Sequence, residues 1–439
     1  MLQQFILSIL ILTSITQAAN ASDTLTLSQV IDVALENNFA VQIASTQKDI
    51  AANNNTAGNA GMLPIVELYG SNTSNVQNSF FESFTAAPRS ANNAHSNVVN
   101  ANAMADWTIF DGMKMFATKS GLELMEKMGE YEYRSMIETT IIDLVNAYNI
   151  LVLRQHYYEN LYEAYQISNE RNILNSKKIS IGTGSTVMLM QSIIDMNADS
   201  VNMIMQHKLI EQGKADLNFL MGRDPATPIE VTSSALLNEL NSYESLMDKI
   251  YGQNNELLNA RLNVELAHQN LLVVRSERLP KLNIFGGYSY MKGTYDIGNA
   301  KSIQNYGPTY GAIVTMRVFN GFNTNLKMQN AHFNQDIAAN QYNQKELEIK
   351  SQLSKMYSEY KYSKQIYDIE KQNIEIAQQN LTLAFERYKL GVLNDIDFRN
   401  IQFKVVNAQY SFYVAEFNVR SAEVELLKVA GELIKVYQK

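Results

Sequence analysis

Cysteine is absent from all 439 residues. No disulfide can staple this fold, and no thiol can serve as nucleophile or metal ligand. The absence fits an exported protein that avoids stray pairing, and it leaves no Cys to carry a lipid at a mature N-terminus. Proline is nearly as scarce, with six residues, none between Arg89 and Asp224 and none after Pro308. Helix is therefore open to most of the chain. Charged residues make up only 18%, with a net charge of −8. No Lys/Arg cluster is dense enough for a nucleic-acid footprint. His95, His156, His207, His268 and His332 are scattered, without metal-type spacing. Gly182-x-Gly184 lacks the Lys-Ser/Thr that completes a phosphate cradle. No catalytic set, cofactor or metal is expected. Long apolar runs are missing too, so no transmembrane helix is expected. Phe5 to Ile15 is apolar and precedes Ala19-Asn20-Ala21, which reads as a signal peptide over residues 1–21.

What is present is one long helical stretch, Phe322 to Leu390, without proline or glycine. As a single helix it would run roughly 100 Å at about 1.5 Å per residue. Leu353, Tyr360, Tyr367, Ile374, Leu381 and Tyr388 recur every seven residues. So do Tyr362, Ile369, Ile376, Leu383 and Leu390. The two rows are offset by two positions, about 200° around a helix of 3.6 residues per turn. A coiled-coil dimer needs one seam. Two opposite seams describe a stave in a cylindrical wall, or else one arm of an antiparallel hairpin with a spare stripe. A strict seven-residue repeat implies left-handed supercoiling.

In chain order, Leu27 to Ala52 reads as helix, with Ser28 as N-cap. Ile65 to Asn72 reads as strand and Asn72 to Asn97 as loop. Val99 to Phe110 alternates with period two and reads as strand. Helix then runs to Ile181, turns at Gly182 to Ser185, and returns over Thr186 to Met221. The order repeats: helix over Leu246 to Arg278, strand over Leu282 to Met291, loop over Lys292 to Pro308. A strand over Thr309 to Phe319 follows, then the long helix, a turn at Gly391 to Asn394, and a return helix to Ala430. Subtraction supports a duplication. Phe110 and Phe319, Gly112 and Gly321, Gly182 and Gly391, and Gly222 and Gly431 all differ by 209. The expected organisation is a signal over 1–21, a first repeat over 22–222, and a linker over 223–245. A second repeat over 246–431 and a tail over 432–439 complete it.

Four strands of membrane-crossing length cannot close, and lipid does not tolerate an open sheet edge. If these strands sit in a membrane, the barrel is shared between copies, and two copies would give eight strands, three twelve. Val99, Ala101, Ala103 and Ala105, with Ala312, Val314 and Met316, are expected to face lipid, because they alternate with Asn, Thr and Arg.

The chain resembles the TolC-type outer-membrane efflux proteins over nearly its whole mature length. The resemblance is carried by Trp107-Thr-Ile-Phe-Asp-Gly112 and its counterpart Arg317-Val-Phe-Asn-Gly321. The Leu-Pro pairs before each first strand, Leu220-Met-Gly-Arg-Asp-Pro225, and Tyr388-Lys-Leu-Gly-Val392 with Asp397 add to it. It implies a mainly α fold with a small β part: duplicated long-helix hairpins forming a periplasmic α-barrel, plus four strands per chain in a shared outer-membrane β-barrel. It implies a homotrimer of twelve strands and twelve helices, with the linker and the C-terminal tail in an equatorial belt. It implies a passive exit duct in the outer membrane, fed by an inner-membrane transporter (ABC or RND type) through a periplasmic adaptor. Protein secretion of type I is favoured by the missing lipid Cys, and multidrug efflux is the alternative. A helical surface stalk or adhesin is the reading from another class. The turns bearing Gly182, Thr183, Gly184, Gly391 and Val392 are the expected adaptor contacts, although glycine there also suits a helix C-terminus. The resemblance further implies a periplasmic gate. Asp397 matches a ring Asp, Asn400 stands where a second would be, Leu393 replaces a gating Arg, and Asp395 is placed to compensate. Alternatively Asn394 or Asp395 caps the return helix, and Asp397 favours its positive end.

Overall fold

The computed structural model describes residues 23–85, 87–232 and 242–437. The signal expected over 1–21, the centre of the 223–245 linker and the last two residues of the tail lie outside them. The chain forms two compact units that cut across the repeats. One gathers the residues up to Gln47 with Tyr131–Leu258 and Gln344 onward, and the other holds Lys48–Glu130 and Asn259–Asn343.

The helical unit is built around α3 (Lys114–Ser180), α4 (Thr186–Leu220), α7 (Asn323–Lys389) and α8 (Asp395–Ala430). Both α3 and α7 are 67 residues long, and each boundary of α3 lies 209 residues before that of α7. Equal length follows from the packing: one inserted residue would rotate every later seam position by about 100°. The two hairpin turns are also alike. Gly182 and Gly391 take positive φ (79° and 74°). The next N–H, on Thr183 or Val392, reaches back to the carbonyl of Lys178 or Arg387. That is a Schellman closure, which satisfies the last carbonyls of each long helix.

Of the two α7 seams, one is buried: Leu353, Ile374 and Tyr388 are at most 8% exposed. The other, Tyr362, Ile369, Ile376, Leu383 and Leu390, stays 59% to 78% exposed. In α3 the residues 209 positions before these rows, Leu144, Leu151, Tyr158, Leu153, Ile167 and Leu174 among them, are buried or half-buried, except Ile181 at the turn. Within the chain, α8 packs between α7 and α3, through Tyr367 on Phe412 and His156 on Tyr413. α4 lies on the other side of α3, with Gln206 Nε2 donating to Arg154 O at 2.9 Å. α4 then exposes its own heptad row, Val187, Met190, Ile194, Val201 and Met205. α3 also contains one window long and apolar enough to cross a membrane by composition, where none was expected. It coincides with the core row Ile137, Ile141, Leu144, Tyr148 and Leu151, all buried.

A belt completes this unit. β1 (Asp23–Leu25) pairs in parallel with β4 (Ile229–Val231), inside the stretch read as linker. Tyr148 Oη donates to the carbonyl of Thr232 at 2.7 Å beside it. The helix expected over Leu27–Ala52 is two helices, α1 (Leu27–Asn37) and α2 (Phe39–Asn54). The first is capped by Thr26 rather than Ser28, in a reciprocal box with Gln29. Asn38 breaks the helix. Its backbone is extended, its Oδ1 accepts from the N–H groups of Ala40 and Val41, and its Nδ2 donates to Leu220 O. Asn254 does the same between α5 (Tyr243–Gln253) and α6 (Asn255–Ser276), donating to Val429 O at 2.9 Å and accepting from Leu257 N–H. Asn38 and Asn254 differ by 216, as do Pro64 and Pro280. Gly222 and Gly431 close these joints: a Cβ would meet the carbonyl oxygen of Asn37 or Gln253 at 2.4 or 2.2 Å. A short α9 (Leu433–Tyr437) ends the described chain.

The second unit carries one antiparallel sheet, ordered β2 (Ile65–Phe81), β3 (Arg89–Phe110), β5 (Lys281–Tyr295) and β6 (Ser302–Thr315). The strands are longer than expected. Most of Asn72 to Asn97 is paired hairpin rather than loop, and β6 starts at Ser302. β6 ends at Thr315, so Met316 lies beyond the strand. β2 and β6 are the sheet's edges.

Candidate functional site

The register sorts the sheet into two faces. Leu68, Ala103, Tyr288 and Pro308 share one cross-strand row. On the same face stand Val66, Ala105, Gly286 and Tyr310 on one side of it, and Gly70, Ala101, Tyr290 and Tyr306 on the other. Trp107, Ile284 and Ala312 extend the band one way, then Leu282 and Val314; Val99 lies beyond the other end. Five apolar rows at about 6.7 Å per two residues span roughly 27 Å along the strands. A tilt near 40° reduces this to roughly 20 Å, close to the apolar band of transmembrane barrels. The opposite face carries Glu67, Asn100, Asn102, Ser289, Asn305 and Thr309. Six of the seven residues expected to face lipid thus share one face. Met316 does not belong to it, because the strand has already ended.

In the helical unit, charge is buried where a coiled coil would be apolar. Ser168, Arg171 and Asn175 lie on one face of α3, Asp195 and Asp199 on one face of α4, and Asp395, Arg399 and Gln402 on one face of α8. Arg171 is fully buried and pairs with Asp195 and, through Nε at 3.1 Å, with Asp395. Arg399 forks onto Asp199 with two contacts of 2.7 Å. Ser168 Oγ donates to Asp199 at 2.5 Å, and Gln402 Nε2 donates to Ala164 O at 2.8 Å. Tyr388 Oη donates to Asp395 at 2.9 Å, and its ring stacks on Phe398. Both Arg171–Asp395 and Arg399–Asp199 join the first repeat's hairpin to the second's. Burial, followed by the Asp395 carboxylate, pushes the Tyr388 phenol well above its ordinary range. Burial disfavours the Arg399 charge, but Asp199, Asp195 and Asp395 outweigh it and hold the guanidinium above its usual value.

The expected gate residues are therefore split. Asp397 and Asn400 are exposed one turn apart on α8. Asp395, expected beside them, is 5% exposed and points inward to Arg171. The apolar Tyr388–Phe398 stack and the Arg171 charge draw it in. Asn394 is the N-cap: its Oδ1 accepts from Asp397 N–H at 2.8 Å, and its Nδ2 donates to the Asp397 carboxylate. Gly182, Thr183, Gly184, Gly391 and Val392 are all exposed in the two turns. The partners Arg171, Asp195, Asp199 and Arg399 were not singled out in the sequence. Their signal was charge at helical spacing, Asp195 and Asp199 at i, i+4.

Two long helical hairpins of matching length and a four-stranded sheet with one apolar face make up the fold. Residues 246–432 match the family model for outer membrane efflux proteins. The outer membrane protein TolC of Vibrio cholerae is 31% identical over 93 residues, a match that covers 21% of each chain. The outer membrane protein VceC of Vibrio cholerae shares the fold with a TM-score of 0.71 and 17% identity, over 92% of this chain and 96% of that one. The Campylobacter jejuni CmeC outer membrane channel gives 0.71 and 19%, over 93% and 86%. The Neisseria gonorrhoeae MtrE outer membrane channel gives 0.68 and 15%, over 93% and 89%.

Proposed function

We propose that this chain is a passive exit duct, assembled from three copies, that passes cargo from an inner-membrane transporter through the outer membrane. The observation that carries it is incompleteness. β2 and β6 end the sheet unpaired, and the exposed rows of α7 and α4 end the helical layer without neighbours. A second copy, placed head to tail, supplies a partner to both at once, and such contacts close into a ring. Two copies would give eight strands, whose interior side chains fill the barrel; twelve strands leave room for a lumen. A surface stalk would have no use for a sheet with an apolar band on one face and open edges.

In this reading, the first and second repeats, 22–222 and 246–431, supply equivalent staves, and the belt holds 223–245 with 432–439. The turns at Gly182–Gly184 and Gly391–Val392 meet a periplasmic adaptor, which links the duct to an ABC or RND transporter. The Arg171–Asp195–Asp395 and Arg399–Asp199 pairs hold the two hairpins together at the tip and keep the periplasmic end narrow. Asp397 and Asn400 line the narrow end, where symmetry brings three copies of each together and favours multivalent cations. Protein export is the proposed cargo class, resting on the cysteine-free composition; drug efflux is the alternative. The test is reconstitution of the purified chain in planar bilayers. Heat-modifiable oligomers that pass steady current are expected, and a monomeric or non-conducting product would sink the duct. Deletion in a host that exports a protein by a one-step route, with drug susceptibility scored alongside, separates the cargo classes.

A further inference from the structure

Beyond the apolar band, on the same face of the sheet, Lys292 stands in a row with Asn72, Val99 and Gln304. The next row is Ser74, Asn97, Thr294 and Ser302, and His95 follows one row further on. A cavity of about 680 Å³ opens there, lined among others by Ser74, His95, Asn97, Thr294, Asp296 and Lys301. That volume lies within the range of small-molecule sites. It is far larger than a phosphate ion requires. Its wall is built by tertiary pairing: His95 N–H donates to Asp296 Oδ2 at 2.8 Å, and Asp296 N–H donates to His95 O at 3.0 Å. Asn97 Oδ1 is buried in that wall and accepts no hydrogen bond. Lys292 and Lys301 are exposed beside it.

The groups present select a chemistry. Lysines call for an anion. The unsatisfied Asn97 oxygen and the Asp296 carboxylate call for hydroxyl donors. A phosphorylated sugar supplies both. The position selects its source, because the cavity sits two to three rows past the last apolar row, at the level where lipid headgroups meet the barrel. The helices leave the sheet at its opposite end, so this rim is the outward one in the duct reading on which this inference rests.

We infer that this cavity is a binding site for the phosphorylated sugar headgroup of an outer-leaflet lipid. Lys292 and Lys301 engage the phosphate, while Asn97 and Asp296 engage sugar hydroxyls. Bound lipid then fastens the β2–β3 and β5–β6 hairpins at the rim.

The test uses the full chain in detergent and mass spectrometry of the intact assembly. Three probes are added: a bis-phosphorylated disaccharide lipid, the same lipid without phosphates, and inorganic phosphate. The phosphorylated lipid is expected to be retained at least tenfold better than its dephosphorylated form. A large excess of inorganic phosphate should not displace it. Combined Lys292→Glu and Lys301→Glu should abolish the preference. Asn97→Asp, which leaves both lysines in place, should weaken retention severalfold and serves if the double variant does not assemble. Equal retention of the two lipids, displacement by phosphate alone, or unchanged preference in the variants would overturn the site. Bilayer conductance of the same preparation reports separately on the duct: current without lipid discrimination sinks only this inference.

Discussion

Arg171 shows what a single side chain contributes here. It is fully buried and faces two carboxylates, Asp195 and Asp395. Removing one partner of a buried ion pair costs about 3–5 kcal/mol, whereas replacing the whole set by apolar residues is often neutral. Arg171→Met should therefore lower the melting temperature, speed hydrogen exchange over 168–175 and 395–402, and raise single-channel conductance. Arg171→Met combined with Asp195→Leu and Asp395→Leu should recover the melting temperature while conductance stays high. Unchanged conductance in both would separate these charges from the gate. Asp397→Ala is the contrasting case. Asn394 still caps α8 without that carboxylate, so melting should hold while block by multivalent cations weakens. A second residue-scale effect concerns pH. Glu138 is 3% exposed on α3, and burial pushes its pKa up to about 7, against the smaller opposing effects of the Asn255 hydrogen bond and Lys428. A raised carboxyl pKa means that the folded state holds the proton more tightly than the unfolded one. This contribution is then complete below about pH 4.5 and is lost as pH rises to about 7, on the order of 3 kcal/mol in all. Glu138→Gln should flatten that part of the melting-temperature profile. A profile with the wild-type slope would show that Glu138 does not titrate there.

At the scale of elements, the two hairpin turns invite substitution at their exposed positions. A Cβ at Gly182 or Gly391 would meet no atom within 4 Å, and Thr183 and Val392 are exposed, the Thr183 hydroxyl donating to Lys178 O at 3.3 Å. Bulky polar residues at Thr183 and Val392 should abolish export while oligomers still form, as judged by gel mobility of unheated samples. Intact export would remove the turns from the adaptor contact. The helical elements were legible in the sequence because heptad spacing and the 209-residue offset depend only on residue order. The sheet was legible in part. Alternation marked Val99 to Phe110, but Asn and Ser between residues 72 and 97 carry little strand propensity, and their pairing is imposed by the cross-strand register. The breaks at Asn38 and Asn254 were invisible to periodicity, since each is made by an amide side chain capping one helix and reaching a distant carbonyl. The Arg171–Asp395 pair was missed for a related reason: its residues are 224 positions apart, and only the packing of α3 against α8 brings them together.

At the scale of the whole molecule, the duct reading requires several copies of the chain. Its apolar face is assembled from residues that are individually modest, Ala101, Ala103 and Ala105 among them, and in that reading it becomes a membrane surface only when β2 and β6 find partners. Arg at Ala105, in the middle apolar row, should cost about 2–4 kcal/mol at mid-bilayer depth and deplete assembled oligomers, whereas normal yield would place that face out of lipid. The decisive experiment exploits the absence of cysteine, since any engineered pair is the sole thiol chemistry available. Leu68→Cys on the β2 edge can be combined, one variant at a time, with Cys at successive β6 positions from Gln304 to Val314. If β6 of one copy pairs with β2 of the next, at least one combination should oxidise in membranes. Each copy carries both halves of the junction, so complete oxidation should give a ladder that stops at three chains. A ladder stopping at two would mean eight strands, a barrel interior filled by side chains, and no duct. Absence of any cross-link along β6 would mean that the sheet edges are not where copies meet.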